Sequence, residues 1–291
     1  SDAQMGGEVS LAYSGNIKGV EVGFGGNVSY SRSRNLESYK PRFANSYDQY
    51  RNSSVDRWSG TYWGLDYIGQ FQSQEEINNY AVNIDGQGNK TLLPGDLIYR
   101  DVNEDGKIDD YDVVPIGFPR DRNPMINFGL NFSAAYKGFD FKADFSGGAG
   151  YSYLPEYEMR NPYQNGGALL KNIYDDRWHR QDPFNLDSPW IPGKYPALRF
   201  NEGSHSNNWQ SDFWLINARY LRARTLEIGY TVPEGLLNRV KIKRARVYVN
   251  GYNLFSIDNV HQLGVDPEIL DTNGLQYPQN KLMNLGVNLS F

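Results

Sequence analysis

Apolar and polar residues alternate along several stretches of this 291-residue chain. The clearest stretch is residues 126–136, where apolar side chains occupy every second position and alternate with Asn127, Gly129, Asn131 and Ser133. A period of two residues indicates a strand with one apolar face and one polar face. The same alternation resumes after Lys137 and Gly138, and the glycine supplies the positive φ that a two-residue turn requires. The pattern therefore predicts a β-hairpin.

The other alternating stretches predict further hairpins. Strands are expected at about residues 8–14 and 20–30, joined by the turn GNIKG, and at about 220–230 and 244–255, joined by a segment long enough for one helical turn. A single strand is expected at 282–291. Together with the hairpin described above, these stretches predict an all-β fold with an antiparallel sheet of about seven strands.

Three long irregular segments separate the hairpins, at about residues 31–124, 151–211 and 256–281. They far exceed the few residues that usually connect strands. Short turns at one end of the strands and long external loops at the other are typical of outer-membrane β-barrels. Because bacterial barrels have an even number of strands, residues 1–291 are predicted to form the C-terminal section of a larger transmembrane barrel.

A β-sandwich is the alternative that alternation leaves open, because its apolar face turns to a core instead of to lipid. Sandwiches turn at intervals of about 8 to 12 residues, whereas the first irregular segment here is far longer. Loop length therefore favours the barrel. The second hypothesis is a soluble extracellular glycan-binding sandwich stabilised by calcium. It would bury four side chains that the barrel would expose to lipid: Phe128, Phe132, Phe139 and Leu289.

Composition narrows the classes of function. The 29 basic and 34 acidic residues give a net charge of -5, so no broad attraction to nucleic acid is expected. The absence of cysteine removes disulfides and thiolate chemistry. His179, His205 and His261 lie in different loops without metal-ligand spacing, and each is predicted to be a surface residue. No phosphate-binding loop motif occurs. The sequence therefore predicts that the protein is not an enzyme.

The acidic segment DVNEDGKIDDYD, residues 101–112, has the residue types of a calcium loop. Such loops place oxygen ligands at positions 1, 3, 5, 7, 9 and 12 and a glycine at position 6. The corresponding residues here are Asp101, Asn103, Asp105, Lys107 through its carbonyl, Asp109 and Asp112, with Gly106 at the sixth position. Carboxylates this close repel one another unless a cation gathers them. We therefore predict a structural Ca²⁺ in an external loop, with a solvated Asx-rich turn as the alternative.

The six tryptophans lie outside the predicted strands. Aromatic rings beside Asn, Asp and Arg suit contact with sugars or peptides. Three of them are predicted to contact substrate or a partner protein: Trp178, Trp190 and Trp209. The alternative is that these rings pack the loops against one another.

Several motifs occur in one order along the chain: GDLIYRDVNEDGKIDDYDVVPIG, FGLNFSAAYKGFDFKADFSG, ARYLRARTLEIGYTVPEGLL, ARVYVNGYNLFSIDN, GVDPEI and LMNLGVNLSF. In this order they resemble the C-terminal end of SusC/RagA-type TonB-dependent transporters of Bacteroidetes. The stretch YWGLDYIGQFQSQEEI resembles a loop segment of the same family, so the resemblance covers nearly the whole chain.

The resemblance implies a barrel of about 22 strands in the Gram-negative outer membrane, surrounded by lipid. It also implies an N-terminal plug, energy from the TonB complex, and a SusD-like surface lipoprotein as partner. Such transporters import oligosaccharides or peptides. Neither a plug nor a TonB box is found in this sequence, so gating and energy coupling are expected to lie in other residues.

Two local features follow from the barrel interpretation. Phe291 ends an alternating strand with an aromatic residue, which predicts a signal for barrel assembly. Arg222 and Arg224 share parity with the apolar Leu226 and Ile228. This parity predicts either a β-bulge in the strand or a strand end that stands above the lipid.

Overall fold

The computed structural model describes residues 1–39, 42–118, 124–200, 203–237, 242–269, 273–277 and 279–291. Its main feature is an antiparallel sheet of long strands: β1 (Asp2–Ile17), β2 (Val20–Asn35), β3 (Ile126–Tyr136), β4 (Phe139–Tyr153), β5 (Ile216–Thr231), β6 (Arg244–Tyr252) and β7 (Leu282–Ser290). These strands lie side by side in chain order. The predicted antiparallel section of about seven strands is confirmed, and the sheet is not closed.

Short elements fill the long segments. Arg57–Trp58 pairs with β2 and Ser256–Asp258 pairs with β5. Small ribbons join Tyr62–Gly64 to Val114–Ile116, Tyr67–Gln70 to Leu97–Tyr99, and His179–Arg180 to Trp190–Ile191. The helices are α1 (Ser46–Asn52), α2 (Gln74–Asn79), α3 (Lys171–Asp175) and α4 (Glu234–Leu237). Single 3₁₀ turns occur at Asp110–Asp112, Tyr157–Met159, Gln164–Gly166, Ser206–Asn208 and His261–Leu263. Within the described ranges, every helix is too short or too polar to cross a membrane.

Two-residue turns join β1 to β2 and β3 to β4. Lys137 and Gly138 have φ values of 46° and 87°, and Lys18 and Gly19 have values of 52° and 85°. Two consecutive residues with positive φ fit a type I′ turn, whose twist matches that of the paired strands. The predicted turn at Lys137 and Gly138 is confirmed. The first turn is tighter than the predicted GNIKG, because β1 continues to Ile17 before the chain reverses.

The strand registers place like side chains on the same face of the sheet. Phe132 pairs with Phe24 and Ala143, whereas the adjacent Asn131 pairs with Gly25 and Asp144. Because each partner pair shares a face, the alternation read from single strands extends across the whole sheet. The sheet therefore has one continuous apolar face and one continuous polar face.

The apolar face is exposed. Phe132, Phe139 and Leu289 are 42%, 60% and 51% exposed, and Phe128 is partly buried. The other sheets in the described residues have two strands each and are too small to cover this face. A β-sandwich requires these four side chains to lie in a core between two sheets. The sandwich hypothesis is therefore wrong for this fold.

The end of the last strand differs from the prediction. β7 ends at Ser290, so Phe291 lies one residue beyond the hydrogen-bonded ladder and is 74% exposed. Its role as an assembly signal stays a prediction. β2 runs to Asn35 and β5 begins at Ile216, so these strands are longer than alternation alone indicated. Their extra residues extend the sheet toward the long segments.

The hydrophobic core lies in the long segments and at the adjoining strand ends. One cluster belongs wholly to the first segment: Leu65, Phe71, Ile77, Ile84, Leu92, Leu97, Ile98, Tyr99 and Ile108. A second joins β4 and β5 to one residue each of the second and third long segments: Tyr151, Tyr153, Met159, Ala218 and Val260. A third joins the first two segments: Tyr62, Ile116, Leu154, Ile173 and Trp214. The predicted irregular loops are thus folded, and we call the described residues of 42–118 and 154–215 the loop cap.

Candidate functional site

The polar face carries paired charges near the short turns. Arg246 on β6 donates from Nε to Oδ2 of Asp140 at 3.0 Å and from Nη2 to Oε1 of Glu227 at 2.6 Å. Asn250 donates to Oε2 of Glu227 at 3.2 Å. The fork of a guanidinium suits two carboxylates at once, and each hydrogen bond is charge-assisted. Such a cluster suits a wet surface, because isolated charges in hydrocarbon would be strongly unfavourable.

A β-bulge in β5 explains the unusual parity of the two arginines. The register shifts between Ala223 and Thr225, which leaves Arg224 as an extra residue. Arg222 pairs with Ser146, so it lies on the polar face with Asp144 and Glu227. An extra residue in one strand re-aims the side chains that follow it. The first of the two predicted alternatives, a bulge, is therefore confirmed.

The two arginines hold the GVDPEI segment against the polar face. Arg222 forms ion pairs with Oδ2 of Asp266 at 2.7 Å and with Oε2 of Glu268 at 2.9 Å, and its side chain is 5% exposed. Arg224 pairs with the other carboxylate oxygen of Glu268. The hydroxyl of Tyr151 donates to the Pro267 carbonyl at 2.6 Å. These contacts fix residues 265–268 over the long-segment end of β5.

The acidic loop is held mainly by its own backbone. Asp101 Oδ2 accepts from the Gly106 N–H at 2.8 Å, and Gly106 has the expected positive φ of 83°. The fully buried Asp112 accepts from the Val102 and Asp109 N–H groups at 2.7 and 2.8 Å. This pattern gives the sharp turn that a calcium loop needs. It also gives Asp112 a role as the residue that closes the loop.

Two of the loop carboxylates, those of Asp105 and Asp109, are paired with an ammonium group in this structure. Lys107 Nζ forms an ion pair with Asp109 and lies 3.6 Å from Oδ2 of Asp105. The hydrogen bond from Lys107 holds the pKa of Asp109 below its usual range, and the same bond raises the pKa of Lys107. Among the described residues, no three Asp, Glu, His or Cys side chains are grouped closely enough to hold a metal ion. The residue types fit Ca²⁺ ligands, but in this structure the carboxylates of Asp105 and Asp109 are oriented toward Lys107.

The three predicted tryptophan contacts lie in the loop cap. Trp178 is 3% exposed, and a Cβ added to Gly95 would lie 2.2 Å from its Cγ, so this ring packs directly on backbone. Packing is therefore favoured over ligand contact for Trp178. The guanidinium carbon of Arg180 lies over the Trp190 ring, 4.6 Å from the ring centroid. Trp209 stacks on Tyr99 with ring centroids 6.0 Å apart. Contact of Trp190 and Trp209 with substrate or a partner protein stays a prediction.

A buried carboxylate connects the parts of the loop cap. Asp96 is fully buried, accepts from Arg199 at 2.5 Å and from Asn207 at 2.7 Å, and also accepts from the Leu93 N–H. The His205 side chain is 6% exposed, with Nε2 3.8 Å from Oδ2 of Asp96. The prediction that this histidine is a surface residue is wrong, because the loop cap has a core of its own.

Sequence reasoning missed a cavity of about 780 Å³ in the loop cap. It lies between α1 and the acidic loop, and its lining includes Arg51, Trp63, Asp110 and Tyr111. Tyr47 connects its two sides, since its hydroxyl donates to the Asp110 carbonyl and its ring lies 4.6 Å from that of Tyr111. Arg51 and Trp63 lie far in sequence from Asp110 and Tyr111, and no motif joins the two pairs. No local signal could have grouped them.

Taken together, these features define a section of β-barrel wall with a folded loop cap at one end. No protein-family model matches the chain. TonB-dependent receptor P26 of Formosa agariphila is 27% identical over 239 residues, which cover 78% of this chain and 22% of that protein. TonB-dependent receptor P39 of the same organism is 24% identical over 281 residues, covering 88% of this chain and 25% of that protein.

Solved structures of similar fold also match the chain. The RagAB peptide transporter matches with a TM-score of 0.65 at 20% identity, over 100% of this chain and 29% of that one. The RagAB peptide importer in its open-open state matches with a TM-score of 0.60 at 20% identity, over 99% and 28%. The chain spans about a quarter of the length of the curated relatives it matches. These comparisons confirm the predicted resemblance to the C-terminal barrel portion of SusC/RagA-type TonB-dependent transporters.

Proposed function

We propose that residues 1–291 form the C-terminal wall and loop cap of a TonB-dependent importer in the outer membrane of a Gram-negative bacterium of the Bacteroidetes. The observation that carries this proposal is the two-faced sheet, whose apolar face exposes Leu11, Phe139 and Leu285. Its polar face holds the charge clusters of Arg246 and Arg222. Lipid on one side and a water-filled channel on the other suit both faces.

The proposed partners follow from the resemblance and from the named relatives. The matched relatives are TonB-dependent receptors, which supports energy supplied by the TonB complex through residues outside this chain. The structural neighbour is a peptide importer, which supports a peptide as substrate, with an oligosaccharide as the second candidate. We place a SusD-like surface lipoprotein over the loop cap. No covalent chemistry is proposed for the chain.

Spin-label accessibility in the complete protein in lipid vesicles tests this orientation. Labels at Phe132, Phe139 and Leu289 should be reached by oxygen dissolved in the bilayer and protected from a water-soluble nickel complex. Labels at the neighbouring Ser133 and Asp140 serve as matched controls on the opposite face and should show the reverse. Nickel access at the three apolar positions, or protection from both reagents, would exclude a lipid-facing wall.

Import itself requires a separate assay. Cells that carry the complete protein should take up a labelled peptide only when the TonB complex is functional, because the barrel alone supplies no energy. A labelled oligosaccharide tests the second substrate class under the same conditions. Uptake that is unaffected by loss of TonB would contradict the proposed mechanism while leaving the barrel fold intact.

We further propose that residues 101–112 bind a structural Ca²⁺. The ion would take the place of the Lys107 ammonium between Asp105 and Asp109, and the Gly106 turn supports this arrangement. A divalent cation gathers several carboxylates more strongly than one ammonium does. Bound Ca²⁺ would stabilise the loop cap without moving flanking helices.

Hydrogen exchange of the acidic loop in the complete protein, with Ca²⁺ or with a chelator, tests this proposal. Ca²⁺ should slow exchange of the amides of residues 101–112, and the substitution Asp105→Ala, which removes a ligand oxygen, should abolish the effect. Lys107→Gln should preserve or strengthen it, because the competing ammonium is removed. Equal exchange with and without Ca²⁺ would favour the solvated turn.

A further inference from the structure

The cavity in the loop cap has an apolar floor and a charged rim. Tyr62, Leu65 and Ile108 line it and belong to the buried core. Arg51 and Asp110 line it as well, so its rim carries both signs of charge. A volume of about 780 Å³ lies within the range of about 300–1,000 Å³ that is typical of small-ligand sites. The combination favours a ligand with an apolar body and charged ends.

The aromatic rings of the cavity are already engaged by protein groups. The Arg51 and Arg57 guanidinium carbons lie 4.6 and 5.0 Å from the Trp63 ring centroid, and Tyr50 meets that ring edge-on at 5.2 Å. Trp209 stacks on Tyr99. The cation–π contacts fix the orientation of the indole and keep the charge of Arg51 at the cavity. Trp63 and Trp209 therefore form walls of the cavity that protein groups already contact.

The apolar floor distinguishes a peptide from a sugar. Side chains such as Leu65 and Ile108 offer no hydrogen-bond partner. A sugar on this floor would leave hydroxyl groups unpaired, which costs free energy. A leucine-like side chain has no hydrogen-bonding group to leave unpaired there, and burial of its apolar surface stabilises the bound state. The rim can then meet charged groups of the same peptide.

We propose that this cavity binds a short peptide, with an apolar side chain on the floor, a carboxylate at Arg51 and an ammonium at Asp110. The inference rests on the proposed import function and names the substrate class of its loop cap. It assigns binding to α1 and the acidic loop, which are brought together by the contact of Tyr47 with Tyr111.

Fluorescence anisotropy on the complete protein in detergent tests the site. The probe is a fluorescein-labelled hexapeptide with a central leucine, a lysine near its start and a free carboxylate, compared with its amidated form. Arg51→Glu should weaken binding of the free-carboxylate peptide at least tenfold, and amidation should have little further effect on that variant. Asp110→Lys should weaken binding of both peptides. The matched control is Glu75→Lys, an exposed charge reversal outside the cavity lining, which should leave the dissociation constant within twofold.

Each outcome supports or overturns the inference. Equal binding by the wild type, Arg51→Glu and Asp110→Lys would place the peptide elsewhere, while TonB-dependent uptake would still support import. Absence of peptide binding to the wild type would overturn the inference. A labelled oligosaccharide whose binding is lost in the rim variants would reassign the cavity to sugars. Heat-modifiable gel mobility confirms that each variant retains a folded barrel, and the exposed position of Asp110 leaves room for the longer lysine side chain.

Discussion

The ion-pair cluster at the bulge of β5 should decide whether residues 256–269 stay fixed on the polar face. Glu268 is the shared carboxylate, because it pairs with both Arg222 and Arg224. The substitution Glu268→Gln keeps the size of the side chain and removes its charge. Arg222 would retain only Asp266 as an acidic partner among the described residues.

The expected magnitude follows from how well water reaches each pair. Arg222 is 5% exposed and Glu268 is 13% exposed, so this charge-assisted hydrogen bond contributes about 1.5–3 kcal/mol. Arg224 is 38% exposed, and screening by solvent reduces its pair with Glu268 to at most about 1 kcal/mol. The substitution should therefore lower the free energy of local opening by about 2–4 kcal/mol.

Hydrogen exchange followed by mass spectrometry measures that opening in the complete protein. A loss of about 2–4 kcal/mol corresponds to exchange that is roughly 30-fold to 1,000-fold faster. The acceleration should be confined to residues 256–269 and the adjoining end of β5. Glu75→Gln, at an exposed position on α2, is the matched control and should leave the exchange of this segment unchanged.

Two results would refute this reasoning. Unchanged exchange in Glu268→Gln would show that the hydrophobic contacts of Val260 and the Tyr151 hydrogen bond hold the segment without the charges. Equal acceleration throughout the sheet would show that the substitution disturbs the whole fold and does not act at this contact.

Three further predictions concern the loop cap. Gly95→Ala should destabilise the loop cap by at least about 3 kcal/mol, because the φ of Gly95 is 92° and the new methyl group would clash with Trp178. Gly86→Ala is the control: its φ is 73° and the space around it is open, so the substitution should cost about 1–2 kcal/mol. Thermal unfolding compares the two variants. Tyr99→Phe should cost about 1–3 kcal/mol in the same assay, because the hydroxyl donates to a buried carbonyl at 2.7 Å. The hydrogen bond from Lys107 lowers the pKa of Asp109. The stability from this pair should therefore be present above about pH 4, near the unfolded pKa, and be lost as pH falls through the folded pKa. Hydrogen exchange of the wild type and of Asp109→Asn checks this window, and an equal loss of protection in both proteins would contradict it.

The strands were predictable because their information is local. Alternation at residues 126–136 and the glycine of the Lys137–Gly138 turn fix one hairpin within a few residues, and the registers confirm it. The acidic loop was predictable as a turn for the same reason. Its cation was not decided by the sequence, because Lys107 carries a charge that can compete with Ca²⁺ for the same carboxylates.

The sequence by itself determined where the strand pairs lie, which face of each strand is apolar, and that the long segments differ from ordinary connections. Only the tertiary structure decided that those segments fold on cores of their own, that a bulge returns Arg222 to the polar face, and that Arg51 and Asp110 line one cavity. The physical reason is range. A strand's period is set by backbone geometry within a few residues, whereas burial, ion pairing and cavities depend on contacts between residues that are far apart in the chain.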